Sequence, residues 1–299
     1  MDQGLLVATD LDGSLLDEEG YSWAEAREAL AALAARGVPL VLASSKTRAE
    51  MEPIRRALGL VSPLIVENGG ALVIPEEGLG RAATRERARA LVREAPGAKL
   101  EDGAVVLVLG TPRAALVREL AALAAETGAS VRGFAQLGAG DVARLTGLPP
   151  ASAVQALARE YDEPFVLEDE GLEGRIADAA GRRRLRVSRG GRFFHLTGPT
   201  DKGQAFRVLV GLLEAAGERI RTIALGDSPN DLPLLQAVER PILIPRPGGR
   251  LDEVLAAALP EAECAPATGP VGWNAAVLTL LAGGRLPTAA SVGVGGGVA

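Results

Sequence analysis

The chain has 299 residues, a formal net charge of −6 and 47% hydrophobic residues, which is enough length and apolar material for two domains. The negative charge gives no basis for binding nucleic acid or an anionic membrane surface, and the single cysteine, Cys264, excludes an internal disulfide or a cysteine metal cluster. The first apolar run is too short for a signal sequence or a membrane span, so we expect a cytoplasmic protein. The composition does not indicate the oligomeric state.

The first part of the chain alternates short apolar runs with helical patterns. The runs at residues 5–9, 40–43 and 64–66 consist mostly of Leu, Ile, Val and Ala and predict buried strands. Residues 23–36 and 48–58, which lie between them, have helical composition, and each is followed by a glycine. This alternation is typical of a doubly wound parallel sheet.

The middle of the chain has a different pattern. It mixes helical segments with short strands, and two of these strands, at residues 185–188 and 192–196, are separated by Arg189-Gly190-Gly191 and predict a hairpin. We therefore predict that residues 76–198 form an α+β module inserted into the first domain.

From residue 201 the alternating pattern resumes. We predict an α/β fold whose doubly wound parallel-sheet core comprises residues 1–75 and 199–284. The last stretch, 285–299, ends in Ser, Gly, Val and Ala, with no charged side chain after residue 290, and predicts a disordered tail.

The stretch Asp10-Leu11-Asp12-Gly13-Ser14 directly follows the first predicted strand. Its carboxylates would emerge at the carboxyl end of a parallel strand, which is where open α/β sheets bind ligands. Two carboxylates this close repel each other unless a cation compensates, and Mg²⁺ prefers oxygen ligands. An Asp-rich surface turn is the alternative, and the stretch alone does not decide between the two.

Further polar side chains occur at predicted strand ends or helix starts: Ser44, Lys202, Asp227 and Asp231. Each one alone could be a helix cap or a solvated side chain. Together with Asp10 and Asp12 they supply acids for a metal, and a hydroxyl and an ammonium for an anion. This combination indicates phosphoryl transfer, in which positioning and charge neutralisation provide most of the catalysis.

In the same order, these stretches resemble the four sequence motifs of the haloacid dehalogenase superfamily. The motifs correspond to Asp10-Leu11-Asp12-Gly13-Ser14, Leu42-Ala43-Ser44, Lys202, and Gly226-Asp227-Ser228-Pro229-Asn230-Asp231. The long insertion is similar to the large cap of the sugar-phosphatase branch. Within that branch the chain most resembles phosphatases of mannosyl-3-phosphoglycerate, on stretches that begin at Ser44, Arg159, Arg189 and Gly269.

The resemblance implies a Mg²⁺-dependent phosphatase that forms an aspartyl-phosphate and releases mannosylglycerate and phosphate. Asp10 would attack phosphorus, and Asp12 would act first as general acid and then as general base. Mg²⁺ would be held by Asp10, the backbone carbonyl of Asp12 and Asp227. Asp231 and Asn230 would not contact the metal; they would hold the ligand loop or a metal-bound water in place.

The resemblance also implies that Ser44 and Lys202 bind the phosphoryl oxygens of a small phosphorylated sugar or glycerate. The candidates for contacting the rest of the substrate are Lys46, Asn68, Arg189 and His195. A structural role is the alternative for each of them: a solvated lysine, a simple turn, a surface arginine and a buried histidine.

Other activities remain open at this stage. The chain could act on sucrose-phosphate or trehalose-phosphate, or it could be a phosphomutase, whose first motif also reads D-x-D-G-[ST]. A regulatory binding protein on a degenerate scaffold is disfavoured, because Asp10, Asp12, Lys202 and Asp227 are all present.

Overall fold

The computed structural model describes residues 4–18, 20–78, 82–190 and 193–292. In these ranges no helix combines the length and apolarity needed to cross a membrane. The strands are β1 (Gly4–Thr9), β2 (Leu40–Ala43), β3 (Leu64–Val66), β4 (Ala71–Pro75), β5 (Ala98–Glu101), β6 (Ala104–Val108), β7 (Val131–Gly133), β8 (Asp162–Leu167), β9 (Arg186–Gly190), β10 (Phe193–Thr197), β11 (Ile220–Gly226), β12 (Arg240–Leu243) and β13 (Glu263–Cys264). The helices are α1 (Arg27–Ala35), α2 (Arg48–Ala57), α3 (Ala82–Glu94), α4 (Arg113–Thr127), α5 (Ala139–Thr146), α6 (Pro150–Leu157), α7 (Glu173–Arg182), α8 (Lys202–Ala215), α9 (Leu232–Leu235), α10 (Glu253–Ala258), α11 (Gly269–Leu281) and α12 (Ala289–Val292).

The chain divides into two compact units. Unit 1 comprises Met1–Ala43, Gly78–Ala88 and Lys202–Ala299, and unit 2 comprises Ser44–Glu77 and Arg89–Asp201. The sequence-based boundaries put the segment around β3 and β4 with the core instead. The functional division into core and cap stays a prediction.

Unit 1 contains parallel strands in the order β13-β12-β11-β1-β2. β1 lies between β11 and β2, and its last four residues are buried. This arrangement confirms the predicted α/β core with a doubly wound parallel sheet. Because β1 and β11 run side by side in the same direction, the residues that follow them emerge together at one edge of the sheet.

A buried tryptophan fixes the end of β1. Trp273 of α11 is fully buried, and its Nε1 donates to Thr9 Oγ1 over 2.9 Å. The Thr9 hydroxyl in turn donates to the backbone carbonyl of Asp10 over 2.8 Å. Helix α11 is thereby connected, through the Thr9 hydroxyl, to the residue that follows β1.

Unit 2 contains antiparallel sheets, in the orders β3-β4-β6-β5 and β7-β8-β10-β9. Together with its helices they give this part of the chain the predicted α+β character. The predicted hairpin corresponds to β9 and β10, which pair with Phe193 opposite Gly190. Residues 191 and 192, between these strands, lie outside the described residues.

The two faces of β10 belong to different apolar clusters. Successive side chains of a strand point to opposite faces. Phe194 therefore stacks on Phe165, with ring centroids 5.6 Å apart, in a cluster that includes residues of α4 and α7. Phe193 meets Phe134 edge to face at 5.0 Å, in a cluster that includes residues of α5 and α6. The four-stranded sheet is thus covered on both sides.

The prediction of a disordered tail at 285–299 is wrong for its first part. The backbone N–H of Leu286 donates to Glu263 over 2.8 Å, the N–H of Cys264 donates to the carbonyl of Pro287, and α12 follows. Composition could not reveal this, because the partner strand β13 has only two residues. Residues 293–299 lie outside the described residues.

Two glycines of α8 provide a test of the packing. A Cβ added to Gly203 would lie 2.0 Å from the carbonyl oxygen of Pro233, whereas a Cβ on the exposed Gly211 would meet nothing within 4 Å. We expect Gly203→Ala to lower the free energy of unfolding by about 1–3 kcal/mol through overpacking. Gly211→Ala should raise it by up to about 1 kcal/mol, because alanine favours the helix. Urea unfolding measures both, and equal effects would contradict the close approach of α8 to α9.

Candidate active site

A buried lysine joins two carboxylates at the sheet edge of unit 1. Lys202, the first residue of α8, is fully buried, and its Nζ lies 2.6 Å from Asp10 Oδ1 and 2.6 Å from Asp231 Oδ1. Asp10 follows β1, and Asp231 lies in the turn after β11. The structure therefore brings together three residues that the sequence assigned to separate motifs.

The turn after β1 is tight and presses against Asp227. The N–H of Asp10 donates to the carbonyl of Leu225, which continues the pairing with β11. Gly13 has a φ of +78°, a region that favours glycine. A Cβ on Gly13 would lie 3.0 Å from Asp227 Oδ2, and Ser14 Oγ is 3.4 Å from Asp227 Oδ1. A side chain at position 13 would occupy space beside this carboxylate.

Asp231 organises the turn after β11. Its Oδ2 accepts the backbone N–H groups of Asp227 and Ser228, each over 3.1 Å, while its Oδ1 accepts from Lys202. The hydroxyl of Ser228 contacts both Asp231 and Asn230. Both oxygens of Asp231 are thus engaged in holding the turn that carries Asp227. A supporting role for Asp231 at a metal site stays a prediction.

Burial and mutual repulsion perturb the acids of the cluster. Burial raises the pKa of Asp10 well above its ordinary value, and Asp231 adds to this, while Lys202 opposes it. Burial also raises the pKa of Asp227 to about 7, again with a contribution from Asp231. Burial lowers the pKa of the Lys202 ammonium, but Asp10 and Asp231 outweigh it, so the pKa lies above its ordinary value. The charged forms of these acids therefore depend on nearby cations.

The donor set fits a hard divalent metal. Carboxylate oxygens of Asp10, Asp227 and Asp231 lie within 4.8 Å of one another, and Asp12 lies close enough to raise the pKa of Asp10. Within the described part of this cluster the carboxylates outnumber the cationic side chains. Oxygen ligands with excess negative charge are what Mg²⁺ requires.

Arg246 is a member of this site that the sequence prediction missed. It follows β12, and its Nε lies 3.6 Å from Asp227 Oδ2, while its Nη1 lies 2.9 Å from Asp252 Oδ2. The same rule that placed Asp227 at the sheet edge could have found it, because β12 is parallel to β11 and ends at the same edge.

In unit 2 the structure brings Ser44, Lys46 and Asn68 together through their backbones. The N–H of Asn68 donates to the carbonyl of Ser44, the N–H of Glu67 donates to the carbonyl of Lys46, and both distances are 3.0 Å. The N–H of Lys46 donates to Ser44 Oγ over 3.2 Å. Glu67 and Asn68 have φ values of +48° and +55°, so this turn adopts a backbone conformation that non-glycine residues rarely accept.

Glu67 is buried and accepts three hydrogen bonds from the neighbouring segment. Its carboxylate oxygens accept the N–H of Glu160 at 3.0 and 3.1 Å and the N–H of Tyr161 at 2.8 Å. Burial raises the pKa of Glu67 to about 7, although the guanidinium of Arg159 and these N–H groups oppose the increase. No motif or pattern in the sequence indicated this role of Glu67.

Two residues of the predicted cap, which we expect to contact substrate, have different environments. His195 is buried, and its Nδ1 lies 2.7 Å from Asp162 Oδ2. Arg189 forms an exposed bidentate pair with Glu170, at 2.9 and 3.1 Å, and its guanidinium lies 5.2 Å from the ring centre of Phe194. A substrate contact stays a prediction for both.

Comparisons with known proteins agree with this fold and site. A family model described as haloacid dehalogenase-like hydrolase matches residues 7–85. A protein of Methanococcoides burtonii named glucosyl-3-phosphoglycerate/mannosyl-3-phosphoglycerate phosphatase is 38% identical over 277 residues, which cover 92% of this chain and 97% of that protein. A protein of Persephonella marina with the same name is 32% identical over 279 residues, 93% of this chain and 97% of its own.

A solved structure of a haloacid dehalogenase-like hydrolase from B. subtilis has the same fold, with a TM-score of 0.60 at 19% identity, covering 93% of this chain and 98% of that one. The chain therefore belongs to the haloacid dehalogenase-like hydrolases, which confirms the resemblance seen in its sequence motifs.

Lys202 can be tested by removing its charge. In Lys202→Met, Asp10 and Asp231 lose their buried cation, so we expect the free energy of unfolding without added metal to fall by about 3–5 kcal/mol. The control is Lys99→Met, which removes a half-exposed lysine paired with Glu101 and should cost less than about 1 kcal/mol. Urea unfolding measures both, and similar losses would show that Lys202 does not compensate a buried charge.

Glu67 should make stability depend on pH. Because its pKa in the folded protein lies above the unfolded value, the native state binds more protons between about pH 4.5 and 7. Wild-type stability should therefore fall across this window as pH rises, and Glu67→Gln should remove that part of the slope. The control is Glu126→Gln, since the hydrogen bond from Arg182 holds the pKa of Glu126 below its ordinary value. Parallel stability curves for wild type and Glu67→Gln would contradict the assignment.

Proposed function

We propose that this chain is a Mg²⁺-dependent phosphatase that hydrolyses mannosyl-3-phosphoglycerate to mannosylglycerate and phosphate. The observation that carries the proposal is the buried contact of Lys202 with Asp10 and Asp231, beside Asp227, at the edge of the parallel sheet. Two relatives that bear the name of this activity support the choice of substrate.

The reaction uses two carboxylates in turn. A carboxylate oxygen of Asp10 attacks phosphorus, the bond from phosphorus to the glycerate oxygen breaks, and Asp12 donates a proton to the departing alkoxide. Asp12 then takes a proton from water, whose oxygen attacks the aspartyl-phosphate and releases inorganic phosphate and Asp10. Lys202 holds the Asp10 carboxylate in one orientation through both steps and offsets negative charge.

Asp10, Asp227 and the backbone carbonyl of Asp12 are the residues that would hold Mg²⁺. The ion would neutralise charge on the phosphoryl group and favour the ionised form of Asp10, whose burial opposes ionisation. Asp231 fixes the loop that carries Asp227, and Asn230 belongs to the same loop.

The remaining assignments follow the family resemblance and the other expectations from the sequence. Ser44 and Lys202 bind phosphoryl oxygens, residues 76–198 form the cap that selects the substrate, and the protein acts on a small molecule in the cytoplasm. The proposed contacts with the leaving part of the substrate are Lys46, Asn68, Arg189 and His195.

Phosphate release from a panel of esters tests the function. The panel includes mannosyl- and glucosyl-3-phosphoglycerate, because the names of the relatives contain both, together with sucrose-phosphate, trehalose-phosphate and hexose phosphates. We expect the highest kcat/KM for mannosyl-3-phosphoglycerate. A higher value for another sugar phosphate, or phosphate transfer between sugar positions without release, would overturn the proposal.

The nucleophile is tested by Asp10→Asn, which keeps the shape of the side chain and removes the attacking charge. We expect kcat to fall by at least ~10³-fold, since covalent catalysis is lost. Wild type quenched in acid during turnover should carry a phosphoryl group on Asp10, detectable by mass spectrometry, and the variant should carry none. Asp178→Asn, at an exposed position of α7, is the control and should retain full activity.

The metal is tested by chelation and by Asp227→Ala. Activity should disappear when a strong chelator removes the metal and return with Mg²⁺, and Asp227→Ala should raise the Mg²⁺ concentration required or abolish activity. Calorimetric titration of the wild type and variant with Mg²⁺ alone gives a readout that does not depend on turnover. Unchanged Mg²⁺ binding in the variant would exclude Asp227 as a ligand.

A further inference from the structure

The carbonyl groups of residues 44–46 are all held within unit 2. The first and third accept backbone N–H groups of the 67–68 turn. The second, on Ser45, accepts Nη1 of Arg159 over 3.0 Å. Among these three contacts, Arg159 is the one made by a side chain, and it comes from a segment more than a hundred residues away.

The peptide group between Ser45 and Lys46 connects Arg159 with the Ser44 hydroxyl. A peptide group is planar, so its C=O and N–H point in opposite directions. The C=O of Ser45 faces Arg159, and the N–H of Lys46 donates to Ser44 Oγ over 3.2 Å. When the guanidinium fixes the carbonyl, it also fixes the direction of this N–H. Because the hydroxyl oxygen accepts there, its own hydrogen is directed to a different acceptor.

Arg159 is itself held firmly in place. It is 93% buried at its side chain and pairs with the fully buried Asp162 over 2.9 Å, and Asp162 also contacts His195 Nδ1 at 2.7 Å. The backbone next to Arg159 is fixed as well, because Glu67 accepts the N–H groups of residues 160 and 161.

The buried contacts of Arg159 and Asp162 add little to the stability of the fold. Within the described residues, Arg159 Nε and Asp162 Oδ1 are buried and have no hydrogen-bond partner. Such groups reduce stability, and a buried ion pair gives little net stability compared with apolar side chains of similar volume. These polar contacts therefore contribute more to the orientation of the groups they join than to stability.

We propose that Arg159 is a positioning residue for phosphoryl binding, which orients the Ser44 hydroxyl through the peptide group of Ser45 and Lys46. The inference rests on the proposed function, in which Ser44 donates to a phosphoryl oxygen. Arg159 does not contact the substrate. Since every phosphate ester presents the same phosphoryl group, its loss affects all of them equally.

A double-mutant cycle tests this connection. The variants are Arg159→Met, Ser44→Ala and the combination of both, and the substrates are mannosyl-3-phosphoglycerate and a small phosphate ester such as p-nitrophenyl phosphate. We expect Arg159→Met to lower kcat/KM by ~10–10²-fold on both substrates, as a misplaced binding group would. In the Ser44→Ala background, Arg159→Met should lower kcat/KM by less than ~3-fold, because the hydroxyl through which Arg159 acts is already absent.

The control and the second variant separate positioning from folding. Arg182→Met removes an exposed arginine that pairs with Glu126 and should leave both substrates unaffected. Arg159→Lys keeps the charge but loses the planar fork, and it should show a smaller loss of the same kind on both substrates. Thermal unfolding of each variant gives the temperature range in which all of them are folded, and activity is compared there.

Two results would overturn the inference: a full loss from Arg159→Met in the Ser44→Ala background, or a loss confined to mannosyl-3-phosphoglycerate. Calorimetric binding of inorganic phosphate, which should weaken in Arg159→Met and not in Arg182→Met, requires no turnover. If wild type hydrolyses a different ester, the proposed substrate fails, and the cycle on that ester still decides the role of Arg159.

Discussion

The buried contact of Lys202 with two carboxylates is the interaction on which the rest of unit 1 depends. Asp10 and Lys202 are 192 positions apart in sequence, and Asp231 follows another strand. Burying these charges is costly unless they are paired, so the ends of β1 and β11 and the start of α8 have to meet with little tolerance. The absence of a side chain at Gly203 permits this, because α8 begins in close approach to the backbone of Pro233.

The electrostatics of this cluster explain why its acids need a compensating cation. Its acids repel one another and are shielded from water, so they are held in a state that an added cation or proton would relieve. In the proposed mechanism, a bound divalent cation would offset the charge of the acids and favour the anionic form of Asp10 at the same time. Unit 2 handles its buried acids differently: Glu67 accepts backbone N–H groups, whereas Asp162 contacts the side chains of Arg159 and His195.

The site residues that could be predicted from the sequence are those that follow strands or begin helices at the sheet edge. Asp10 and Asp227 could be placed together because parallel strands share a carboxyl edge, and Lys202 because it begins α8, the helix that leads into β11. Arg159 could not be placed, since its partner is a backbone carbonyl 114 positions away and any residue type supplies a carbonyl. The short strand β13 could not be found either, because a two-residue strand has no periodicity. Without β13, the hydrogen bonds that order residues 285–292 could not be predicted.

Trp273 gives the protein a built-in optical probe. Its indole N–H donates to the Thr9 hydroxyl, which donates to the carbonyl of Asp10, so one chain of hydrogen bonds connects the fluorophore with the proposed nucleophile. The sequence contains one other tryptophan, Trp23, which is partly exposed. In a Trp23→Phe background the emission of Trp273 alone would follow metal binding and phosphorylation at Asp10 in a stopped-flow instrument, without a label and with the natural substrate.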